Sequence, residues 1–177
     1  MEHAGKSDDP VVQIKVVNAL GWMNYYLGRL AEAEDGFREA WQRAADSENA
    51  YQRVQTRIHI GLTAMARGEH QRAEELLEET LRESRAAGYR RLEGNALNGL
   101  GELGRLEGNP QRARTHYRDF RQIALELNEP SSIAVADSNL AQVELLAENF
   151  SGAAARLERA DQLLGELESD VLGALLR

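Results

Sequence analysis

A chain of 177 residues without a cysteine suits one domain, and the missing thiols exclude disulfides, thiolate chemistry and Cys-ligated zinc. Its formal charge of −8 argues against direct nucleic-acid binding, which needs a basic footprint, and no run reaches the roughly 18 apolar residues of a membrane span. Helix formers dominate while Val, Ile and Thr are sparse, so the composition leans toward an all-α protein.

The opening MEHAGKSDDP is polar and acidic, unlike a signal peptide, and the cytoplasm is the expected location. Residues 1–9 are expected to form a flexible N-terminus. Asp9 before Pro10 is a helix-start signal, because proline in the first turn gives up an N–H that would have no partner there. From there the chain alternates helical stretches with short breaks. LGRL, RGEH, EGNP and ENFS each put glycine or asparagine at a helix end, and DSEN, AAGY and NEPSS fall between them. These breaks predict eight helices in four antiparallel pairs, with repeats at about 11–48, 49–88, 89–128 and 129–168 in one domain, 10–168. Residues 169–177 (SDVLGALLR) are expected to form a short C-terminal capping helix, with Leu163, Leu164, Leu167, Val171, Leu172, Leu175 and Leu176 extending the apolar face.

A shift of 40 residues lays the chain on itself. Gly21, Gly61, Gly101 and Ala141 share one column, preceded by Leu20, Ile60, Leu100 and Leu140. Gly28, Gly68 and Gly108 align with Glu148; Ala33, Ala73, Ala113 and Ala153 align throughout; Phe37, Leu77, Tyr117 and Leu157 follow four residues later. Such agreement marks four copies of one supersecondary unit. Glycine inside a helix costs about 1 kcal/mol against alanine. The Gly21 column is therefore expected to lie at a close helix–helix contact, facing the Ala33 column.

With these columns the sequence resembles the tetratricopeptide repeat family. Leu20-Gly21, Gly28, Ala33 and Phe37 carry the resemblance, and it recurs in each repeat. It departs from the family in its 40-residue period, against about 34 in the family. It departs also in the column three residues before the leucine, where Val17, Arg57, Leu97 and Asp137 replace an aromatic. Long repeats of this kind are similar to those of bacterial regulatory proteins. The resemblance implies a right-handed superhelical array, a TPR-like α-solenoid whose first helices line a concave side.

Catalytic signals are weak. Gly99, Gly101 and Gly104 spell a dinucleotide fingerprint, with Asp119 at the ribose-ligand spacing, but no strand-like run precedes them. His3, His59, His70 and His116 share no register for a metal, so no cofactor or metal is expected and the chain reads as a non-enzyme.

What remains is the face beside the buried stripe of each first helix. Helical spacing selects Lys15, Asn18, Trp22 and Tyr25 in the first repeat, and Gln55 and His59 in the second. In the third it selects Asn95, Asn98 and Arg105, and in the fourth Asn139 and Gln142. Amides both donate and accept, which suits the backbone of an extended peptide, and Trp22 and Tyr25 offer apolar anchors. Trp22 and Tyr25 can equally close the N-terminal end of the core. Gly99 is expected to open onto the same groove. The family's clamp for a peptide C-terminus is absent at the corresponding Asn18, Trp22, His59, Asn95 and Gly99. The sequence thus points to a peptide- or protein-binding scaffold. Its alternatives are the ligand-sensing region of a bacterial transcription regulator, or an assembly protein that dimerises through its C-terminal helices.

Overall fold

The computed structural model describes the backbone of residues 9–175 and side chains through residue 168. The expected flexible N-terminus, apart from Asp9, and the side chains of Val171, Leu172, Leu175 and Leu176 lie outside the described residues. The described residues form eight helices and no strand: α1 (Pro10–Tyr26), α2 (Leu30–Asp46), α3 (Ala50–Ala66), α4 (His70–Ala87), α5 (Arg90–Leu106), α6 (Pro110–Glu126), α7 (Pro130–Leu146) and α8 (Phe150–Leu175).

A beat half as long as the repeat sets these boundaries. Positive φ recurs at Gly28, Glu48, Gly68, Gly88, Gly108, Asn128 and Glu148, once every 20 residues. At each, the next N–H bonds back to a carbonyl five residues earlier, from Arg29 to Asn24 at 2.9 Å through Asn149 to Glu144 at 2.9 Å. This is a Schellman closure, which satisfies carbonyls that the helix end would otherwise orphan. Starts are fixed by side chains: Asp9 accepts from Val11 N, Asn49 from Gln52 N and Asn109 from Arg112 N. The beat stops at Glu168, where neither glycine nor proline breaks the chain, and α8 runs on to Leu175. The segment expected as a separate short helix is thus continuous with α8.

The chain forms two compact units, Met1–Leu92 and Glu93–Arg177. In the first, α1 packs on α2, α2 on α3 and α3 on α4; in the second, α6 packs on α7 and α7 on α8. The glycine column has a different opposite number from the one expected. A Cβ on Gly21 would lie 2.6 Å from Phe37 Cε1, and one on Gly101 2.5 Å from Tyr117 Cδ1, so each glycine lies against an aromatic ring rather than the alanine column. Against the branched Leu77 the clearance at Gly61 is 3.2 Å, and in the fourth repeat Ala141 and Leu157 stand in these columns. Gly104, outside the period, is the residue that faces the alanine column: its Cβ would stand 3.0 Å from Ala113 N.

Two of the four positions in the missing aromatic column, Arg57 and Asp137, carry buried charge. Asp137 on α7 is fully buried, accepting from Arg121 Nε on α6 at 2.9 Å and from an Arg156 guanidinium nitrogen on α8 at 3.0 Å. Its counterpart Arg57 on α3 pairs with Glu83 at 2.7 Å and Glu79 at 3.4 Å on α4. Buried charges of this kind persist only where partners surround them.

Candidate functional site

Seventeen residues per first helix place each selected side chain by register, and the two units answer differently. In the first unit, Asn18, Trp22 and His59 come together. The Asn18 amide donates to Thr56 Oγ1 at 3.2 Å, while Thr56 itself donates to the Gln52 carbonyl at 2.8 Å. That turns Asn18 Oδ1 toward His59 Nδ1, 3.0 Å away, so Nδ1 carries the imidazole proton. The ring is packed edge-on to Trp22, with centroids 4.9 Å apart, and lies 5.1 Å from Phe37. Burial among these groups pushes the imidazole down to about 4, so His59 is neutral at pH 7.

Trp22 and Tyr25 pack against the Ala33–Phe37–Ile60 cluster and are half-buried, so both belong in part to the core. Lys15 is exposed and Gln55 half-buried. Tyr26 is the aromatic that the spacing passed over. It stacks on Trp22 at 5.7 Å and is 80% exposed. The signal for it lay in the 40-residue alignment: Tyr26, Leu106 and Leu146 share a column, each the exposed last residue of a first helix.

In the second unit, the Asn139 amide donates to Asn98 Oδ1 at 2.8 Å, joining α7 to α5 as Asn18 and His59 join α1 to α3. The two pairs stand 80 residues apart in both members. Asn95 and Gln142 flank the pair and are exposed. Arg105 bonds to Glu102, which also accepts from the buried Tyr117 hydroxyl at 2.9 Å. Burial alone would raise Glu102, but the hydrogen bonds from Arg105 and Tyr117 outweigh it and hold the carboxyl below its usual range. Burial, reinforced by the Glu102 charge, pushes the Tyr117 phenol up. Gly99 is buried and does not open outward as expected. The three fingerprint glycines all lie inside α5, with no strand before them, and Asp119 is exposed on α6.

No protein-family model matches the sequence, and no curated protein does. Solved structures match the fold. A Rap conjugation gene regulator of plasmid pLS20, in complex with the Phr* peptide, is 13% identical with a TM-score of 0.85, covering 93% of this chain and 45% of that one. Aspartyl phosphate phosphatase F from Bacillus subtilis is 13% identical, TM-score 0.78, over 91% of this chain and 42% of that one. BtubC from P. vanneervenii is 19% identical, TM-score 0.72, over 93% of this chain and 68% of that one. The chain thus spans less than half the length of the two Rap-type proteins. Its fold is the TPR-like helical repeat that these regulators share.

Proposed function

We propose that the first helices hold an extended peptide or protein segment and that the chain is a recognition module rather than a catalyst. The observation that carries this reading is the surface pairing of amides with exposed apolar groups in each unit. Trp22, Tyr25 and the 80%-exposed Tyr26 stand beside the Asn18–His59 link; the helices that carry the Asn98–Asn139 link also present Asn95, Gln142, Leu106, Val135 and Leu145 exposed. Amides satisfy a strand-like backbone and apolar columns receive its side chains. The pLS20 regulator, of like fold, is described with a peptide. The phosphatase of like fold shows that the scaffold does not decide between binding and chemistry. Here the lowered carboxylates Glu34, Glu69, Glu83 and Glu102 are each held by arginine ion pairs, an arrangement that suits structure better than proton transfer. A cytoplasmic location and no direct nucleic-acid contact belong to the same reading, on a chain with no cysteine and a charge of −8.

The test is selection from a random peptide library, followed by titration of selected peptides against Tyr26→Ala and Gln142→Ala. Both side chains are exposed, so stability should hold while affinity falls at least about tenfold. Asn98 and Asn139 are poorer probes: losing their mutual bond costs about 1 kcal/mol of stability. No selected peptide, or peptides bound equally by both variants but lost on Glu78→Lys in a second helix, would overturn the reading.

A further inference from the structure

Leu20 belongs to a column that is buried in every other repeat: Ile60 is 7% exposed and Leu140 0%, but Leu20 is 49% exposed. The same holds along α1. Val16 and Met23 are 53% and 52% exposed, whereas their counterparts Thr56 and Thr63 on α3, and Ala136 and Val143 on α7, are all buried. On α3 and α7 this stripe packs against the preceding second helix, as Ile60 on Phe37 and Leu140 on Tyr117. The last second helix has the matching defect. Phe37, Leu77 and Tyr117 are fully buried, but Leu157 in their column is 47% exposed, as is Leu164 in the column of the buried Ala44 and Ala124.

We infer that two copies of this chain associate head to tail, α1 of one copy seated on α8 of the next. The chain's own register supplies the docking geometry. Advancing the Ala113–Tyr117–Leu140–Val143 cluster by one repeat gives Ala153 and Leu157 of one copy against Leu20 and Met23 of the other. The Glu34–Arg67 ion pair becomes Ala154 against Leu27, an apolar pair with no charge left over. Residues 169–175 continue α8 as one helix and so cannot turn back over its face. Val12 and Leu27 on α1 and Phe150 on α8 are exposed as well. A contact between unlike faces leaves one of each free at the ends of the assembly.

The test is sedimentation velocity on the full chain over a wide concentration range, with Leu20→Glu, Leu157→Glu and their equimolar mixture. The wild type should grow in mass with concentration. Each variant should remain a monomer, and the mixture should form a 1:1 dimer, since each variant retains the face that the other lacks. A wild-type monomer at all concentrations overturns the inference. So does a Leu20→Glu dimer, which would mean that α8 pairs with α8. Val16→Glu, one turn away, replaces Leu20→Glu if that variant melts early.

Discussion

His59→Asn should remove a specific part of the protein's acid sensitivity. The folded imidazole, buried against Trp22 and Phe37, stays unprotonated down to about pH 4, while the unfolded one binds a proton from its ordinary value of 6.5. Between those values the unfolded state binds more protons, so stability rises with pH and is lost as pH falls through 6.5. The contribution lost by pH 5 is about 2 kcal/mol, approaching about 3 kcal/mol at pH 4. Glu34, Glu69, Glu83 and Glu102, held below the carboxylate range by arginines, lose their contributions only at lower pH, so the window from 7.5 to 5 isolates the histidine. Asparagine is the natural replacement, because Asn139 already occupies the equivalent place opposite Asn98. The assay is urea unfolding at pH 7.5, 6 and 5. The variant should start about 1 kcal/mol lower from lost ring contacts and then show a flatter profile than wild type. Equal slopes, or a His59 proton resonance titrating near 6.5, would refute the reasoning.

Two further outcomes follow from packing. Gly21→Ala and Gly101→Ala place a Cβ within 2.6 Å and 2.5 Å of aromatic rings and should destabilise by about 1–3 kcal/mol in thermal or urea melts. Gly61→Ala, 3.2 Å from the branched Leu77, should be near neutral once the helix-propensity gain of about 1 kcal/mol is included. Asp137→Ala strands Arg121 and Arg156 and should cost about 3 kcal/mol in the same melts, whereas Asp119→Ala, exposed on α6, should change little.

The period was legible because its columns are backbone requirements: glycine or alanine where helices touch, and glycine where the chain turns left-handed. What escaped was whatever the turn tolerates without glycine. Glu48, Asn128 and Glu148 adopt positive φ with ordinary side chains, so the 20-residue beat does not appear in composition. Columns also cannot tell an interior repeat from a terminal one, which is why Leu20 reads like Leu140 yet stands exposed. Some of the amides are taken up by links between successive first helices, Asn18 with His59 and Asn98 with Asn139, which spacing within one helix does not reveal. The placement of Asn95 and Gln142 at the surface followed from spacing alone.

The opposite signs at Arg57 and Asp137 bear on how a chain of similar repeats avoids assembling out of order. Trp41 on α2 and Arg121 on α6 occupy the same register, 80 residues apart, beside Arg57 and Asp137 respectively. Were α6 to dock against α3 in place of α2, two guanidiniums would meet at a buried position. Were α2 to dock against α7, the indole would replace an arginine that Asp137 needs. Either misplaced pairing would bring like charges together or leave a buried charge short of a partner, a cost that the observed pairings avoid.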